Sequence, residues 1–154
     1  VKPAPADIVI TTNGGYPLDQ NAYQCPKGMS AAEATVNDGG VIIMLATCQD
    51  GHGGESYYHS IADAESADAF FQQCLHTPQV ETLPDQWCAQ IWCRIVRKYK
   101  VLFVADKAQE QLIRDLKVEY FETLDEAYAR ARELKGPDAT LTCIPKGVSV
   151  VVKD

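Results

Sequence analysis

Three short runs, ADIVIT at 6–11, GVIIML at 40–45 and KVLFV at 100–104, constrain this chain more than anything else in it. Each is apolar without alternation, so a strand made from it must be buried on both faces. Strands covered on both sides belong to parallel sheets, whose crossovers are long and usually helical. A weaker run, TLTCI at 140–144, repeats the signal, and KVEYF at 117–121 reads as a short edge strand.

Helical signals fill the intervals. Ser30 with Glu33 has capping-box spacing and predicts a helix over 30–37. Ala67, Phe70, Phe71, Cys74 and Leu75 recur at i, i+3, i+4, i+7 and i+8, which is one amphipathic face. Asp85 reads as the cap of a helix with Trp87, Ile91 and Ile95 on one stripe, widened by Trp92 and Val96. Thr123 with Glu126 makes a second capping box, opening a helix whose face is Leu124, Ala127, Tyr128, Ala131 and Leu134. Gly136-Pro137 ends it. The alternation predicts an α/β fold, a Rossmann-like three-layer sandwich with a mostly parallel sheet, over residues 1–136. Residues 137–154 carry a turn at Pro145–Gly147 and a strand segment. That segment either completes this sheet or belongs to a neighbouring N-terminal domain.

Charge narrows the partners. Lys and Arg total 14 against 21 Asp and Glu, a net charge of -7, which argues against nucleic acid. The one basic cluster, Arg94, Arg97, Lys98 and Lys100, sits at an expected helix end, where cations complement the helix dipole. No apolar run approaches the ~20 residues that span a bilayer, and no signal-peptide pattern occurs, so a cytoplasmic location and no membrane partner are expected. The chain opens VKPAPADIVI rather than with Met, as an excised or processed domain would. Its six cysteines are scattered, which predicts free thiols, with Cys88 and Cys93 the closest pair on a helix. His52, His59 and His76 form no paired-ligand spacing, so no metal site within this chain is expected.

In an open parallel sheet, ligands bind outside the carboxyl ends of the strands. Two polar segments occupy that position: NGGYPLD at 13–19 and CQDGHGGE at 48–55. The first lacks the glycine spacing of a dinucleotide loop, and Lys27-Gly28 lacks that of a Walker sequence. Read blandly, it is a turn in which Gly14 and Gly15 take positive φ, Pro17 fixes its own and Asp19 caps a helix. Beyond it, Tyr23, Gln24 and Lys27 stand at i, i+1 and i+4, so the phenol and ammonium share a helical face beside the amide. Such residues are ordinary on an exposed helix, yet together they suit the capture of a small carboxylate. Asn13, Asp50 and His52 are candidates for groups standing behind that set, or plain loop residues. Trp87 is either core or cleft wall.

The stretch DIVITTNGGYPLDQNAYQCPKGMSAAEATVNDGGVIIMLATCQDGHGGESYY resembles the C-terminal domain of the nickel-dependent lactate racemase family. The likeness is strong over about residues 6 to 60 and continues to the end, including P-D-x-W at Pro84–Trp87. It implies a two-domain enzyme with the site between the domains and a nickel-pincer nucleotide as cofactor, bound mainly by the N-terminal domain. It further implies that a hydride is taken from lactate or a related 2-hydroxy acid and returned to either face of the keto acid. By motif, Lys27 and Gln24 would hold the substrate carboxylate and oxygens, while Tyr23 and Trp87 would line the pocket. The family's cofactor lysine, nickel histidine and catalytic histidine pair have no counterpart in these 154 residues. The chain alone is therefore expected to be inactive, hold no cofactor and need its N-terminal domain as partner. Pro26, between Gln24 and Lys27, fits a helix only in its first turn. Two further readings stand beside this one: a non-catalytic module binding a small anionic ligand, and an interaction domain whose polar loops are turns.

Overall fold

In the computed structural model, which describes residues 1–153, the three strong apolar runs are the central strands of one sheet. They are β1 (Ala6–Thr12), β2 (Val36–Leu45) and β3 (Lys100–Val104). The weaker runs become its two edges, β4 (Glu119–Phe121) and β5 (Leu141–Ile144). The order is β4-β3-β2-β1-β5 and every neighbouring pair is parallel. The sandwich is thus α/β as the buried runs require. Leu141–Ile144, ambiguous in sequence, pairs with Ile8–Thr11 of β1.

Six helices connect the strands: α1 (Cys25–Glu33), α2 (Glu55–Ala62), α3 (Ala67–His76), α4 (Gln86–Lys98), α5 (Glu110–Asp115) and α6 (Leu124–Lys135). The chain steps from β1 to β4 in one direction across the sheet, then returns through α6 to β5 on the far side of β1. Right-handed crossovers put helices on opposite faces when the direction reverses. Accordingly α6 contributes Ala127 and Ala131 to a layer with Ile8, Val41, Ile43 and Leu102. The opposite face, with Val9, Ile42, Met44 and Phe103, is covered by Met29, Tyr57, Phe70, Trp92 and Ile113 from the other helices.

Local sequence explains both ends of α6. Thr123 and Glu126 form a complete capping box, and Gly136 closes α6 at a φ of 87°. Two expectations are corrected. The helix placed at 30–37 runs instead from Cys25 to Glu33, because Pro26 sits comfortably in a first turn and nucleates the helix earlier. Ser30 is then mid-helix, donating to the Pro26 carbonyl at 2.7 Å, and Glu33 takes a bidentate hold from Arg94 at 2.6 and 3.1 Å. On α4 the buried face is Cys88, Ala89, Trp92, Cys93 and Ile95, which leaves Trp87 53% exposed. The basic cluster at its end is tied up in ion pairs: Arg97 with Asp68, Lys98 with Asp38, Lys100 with Glu119. No helix among the described residues is long and apolar enough to cross a membrane.

Candidate functional site

The two polar loops meet. Asp19 and Gln20 carbonyls accept from the main-chain N–H groups of Cys48 (3.0 Å) and Asp50 (2.8 Å). In return Ala22 and Tyr23 N–H groups donate to the carbonyls of Gly51 and His52, both at 3.1 Å. Gly53 makes the approach possible: its φ is 80°, and a Cβ there would fall 2.4 Å from the Asn21 side chain.

The segment 13–19 is mostly scaffold. Gly14 and Gly15 do take positive φ. Asp19, however, caps no helix; it is buried and its Oδ2 accepts from the Thr47 N–H at 3.3 Å. Asn13 is also buried, and its amide donates to the carbonyls of Leu18 (2.7 Å) and Gln24 (2.9 Å), bracing the next turn from behind.

That turn carries the candidate residues Tyr23 and Gln24. Ala22–Gln24 form a 3₁₀ turn that runs directly into α1, with Pro26 in the first turn and unkinked. The first turn of α1 contains no acidic residue but does contain Lys27, exposed to solvent. A cation there opposes the helix dipole, whereas an anion would be favoured. The Lys27 ammonium donates to the Gln24 side-chain oxygen, which leaves the Gln24 NH₂ and further ammonium protons for a ligand. The pair therefore presents several donors to a ligand.

Tyr23 is held from the other side. Its hydroxyl donates to Asp85 Oδ1 at 3.0 Å, and its ring meets Trp87 edge-on at 6.2 Å and Tyr57 at 5.4 Å. Partial burial, then the Asp85 hydrogen bond, push the Tyr23 phenol up to about 12. Beneath it, the Cys88 thiol donates to the Tyr23 carbonyl at 3.4 Å, and burial first, with Asp85 second, pushes this thiol up to about 12. Asp85 does not cap α4 by its side chain, as its position in the sequence suggested; it sits there at a φ of 61° and spends its carboxylate on Tyr23. A short polar side chain tolerates that left-handed backbone. Only the P-D-x-W string hinted at Asp85, because a contact across 62 residues leaves no local pattern.

Tyr23 is thus paired with Trp87, and Gln24 with Lys27, around one turn of the chain. The residues placed behind them fare differently. Asn13 braces Gln24. His52 supports Tyr23 through its main chain, but its ring stacks on Tyr58 at 5.1 Å and its Nδ1 accepts from the Gly54 N–H at 3.1 Å. Asp50 is exposed and joins the site only through its backbone. A crevice of about 340 Å³ lies at the carboxyl ends of β1, β2 and β3, lined by Asp19, Thr47, Asp106 and Glu122. Its carboxylates would repel an acid.

The family of lactate racemase C-terminal domains matches residues 1–152. This chain belongs to it. The domain is 51% identical over 147 residues to the lactate racemase of Lactiplantibacillus plantarum, covering 96% of this chain and 35% of that protein. It is 46% identical over 154 residues to the lactate racemase of Thermoanaerobacterium thermosaccharolyticum, covering all of this chain and 36% of that protein. The solved apoprotein structure of lactate racemase from the latter organism superimposes with a TM-score of 0.96 at 45% identity, over all of this chain and 37% of that one. The chain therefore spans about a third of the length of these curated relatives. It is a racemase-related domain.

Among the described residues, no three His, Cys, Asp or Glu side chains converge as a metal site. His59 pairs with Glu55 and Asp63 on an exposed helix face, and the buried cysteines are packed into the core. These residues do not fit a nickel centre.

Proposed function

We propose that this chain is the substrate-side domain of a racemase or epimerase acting on lactate or a related 2-hydroxy acid. Lys27 and Gln24 bind the substrate carboxylate, and Tyr23 and Trp87 wall the pocket. The observation that carries this reading is the donor pair Lys27–Gln24 in the acid-free first turn of α1, braced by Asn13 and flanked by the Tyr23–Trp87 edge. A carboxylate there gains a point charge, a neutral donor and the positive end of a helix.

The nickel-pincer nucleotide and the groups that exchange protons belong, in this proposal, to an N-terminal domain of the same protein. The present residues bind and orient the substrate against that domain and exclude water once it closes. The location is cytoplasmic. The chain by itself is inactive and retains no nickel.

The test is the interconversion of D- and L-lactate, followed by chiral chromatography, for the 154-residue chain and for a full-length protein carrying it, each supplied with cofactor. The full-length protein is expected to racemise lactate or another 2-hydroxy acid, and the chain alone none. A full-length protein that binds such acids without interconverting them would make this a binding module for small anions.

A further inference from the structure

We propose that Asp85 is a positioning residue of this site: it takes the only proton of the Tyr23 hydroxyl and thereby fixes the ring against Trp87 with its donor turned away from the ligand. The catalytic half of this inference rests on the racemase reading; the structural half does not.

Three features carry it. The Tyr23 hydroxyl donates to Asp85 Oδ1 at 3.0 Å, and this bond joins the turn after β1 to the start of α4. Asp85 holds a left-handed backbone, φ 61°, in the N-cap position of α4 without capping the helix through its side chain. Aspartate is favoured at N-caps because its oxygen can satisfy a first-turn N–H, and here that oxygen serves the phenol. Finally, the second loop closes over the pair. A Cβ at Gly54 would lie 3.7 Å from Asp85 Oδ2 and 3.8 Å from the Tyr23 ring, ordinary packing distances.

The consequence is a division of labour. A phenol has one proton to give, and once it is given to a carboxylate the oxygen can only accept. A carboxylate ligand also only accepts. Tyr23 therefore contributes a wall and an acceptor, while donation to the ligand falls to Lys27 and the Gln24 amide. Releasing the phenol from Asp85 frees its proton, unlocks the ring and loosens its edge contact with Trp87.

The experiment exploits the backbone. Asp85→Gly suits a positive φ and removes the acceptor; Asp85→Asn also tolerates that backbone and keeps a side-chain oxygen. In the 154-residue chain, the ¹³Cζ resonance of Tyr23, assigned by its loss in Tyr23→Phe, is followed through alkaline pH. The midpoint should fall below the wild-type value in Asp85→Gly while staying above that of an ordinary tyrosine, since partial burial remains. In a full-length protein, Asp85→Gly should lower kcat/KM for the 2-hydroxy acid roughly tenfold, as for loss of a charged hydrogen-bond partner, and Asp85→Asn should recover most of it. The double variant Asp85→Gly/Tyr23→Phe should be no worse than the poorer single one, because Asp85 acts through Tyr23. An unmoved Tyr23 midpoint overturns the proposal whatever the enzyme does. So do strictly additive kinetic losses, or equal losses in the Gly and Asn variants that track their melting temperatures. Failure of the racemase reading would appear separately, as a wild-type full-length protein that interconverts no 2-hydroxy acid while the Tyr23 midpoint still shifts in Asp85→Gly.

Discussion

Lys27 and Gln24 matter through what they leave unsatisfied. Each carries donors beyond the bond between them, and the first turn of α1 offers no acid to absorb the charge. Gln24→Ala in a full-length protein is expected to cost roughly 1 to 3 kcal/mol of transition-state stabilisation, as for a neutral hydrogen-bond partner buried on closure. Steady-state kinetics, with melting curves to show an intact fold, check it; an unchanged kcat/KM would assign Gln24 to the helix surface. At this scale the sequence was informative where the chemistry is local. Tyr23, Gln24 and Lys27 are neighbours in the chain, so residue types and spacing suffice to single them out as candidates. Asp85 and Asp19 look like caps in the sequence because their partners, Tyr23 and Thr47, lie far away along the chain. A carboxylate before a helix resembles a cap until its real partner is seen.

At the scale of elements, α4 separates two tryptophans that the apolar stripe had grouped together. Trp92 is fully buried between Tyr57 and Phe103, and its indole N–H donates to the Leu116 carbonyl at 2.9 Å. Trp87, at the other end, touches Tyr23 and is half exposed. Chemical denaturation should therefore show about 3 to 5 kcal/mol lost in Trp92→Ala, the cost of a large core cavity. Trp87→Ala should lose about 1 kcal/mol or less. Equal losses would contradict the burial assigned to α4. The sheet edge supplies a pH test. The main-chain N–H of Thr140 above all, then the amide of Asn37 and the hydroxyl of Thr140, hold the Asp7 carboxyl down at about 2. A depressed carboxyl stabilises the fold above its unfolded value and loses that contribution as pH falls through the folded one. Wild-type stability should thus decline between about pH 4 and pH 2, and Asp7→Asn should flatten that decline; an identical acid profile would remove Asp7 from the account. The buried runs predicted the strands because burial on both faces leaves an unbroken apolar string. The start of α1 was missed because its opening signal is a proline inside a polar, cysteine-containing stretch, whereas Ser30 and Glu33 imitate a capping box.

Over the whole molecule, one face of the sheet is deeply covered by five helices and the other by α6, while the candidate site sits at the carboxyl ends of the strands beside the first polar loop. The fold could be read from sequence because alternating buried strands and amphipathic helices admit few arrangements. The tail was ambiguous because Leu141–Ile144 alternates exposed and half-buried positions, as an edge strand does. The candidate site combines the Lys27–Gln24 donors with the Tyr23–Trp87 edge contact. The most direct test is the rate of 2-hydroxy-acid racemisation by a full-length protein carrying Lys27→Ala. A loss of roughly 2 to 5 kcal/mol in transition-state stabilisation is expected, as for removal of a desolvated charge partner, with the fold unchanged by circular dichroism and melting. Wild-type rates in that variant would make Lys27 a solvated helix residue and contradict the substrate-side assignment.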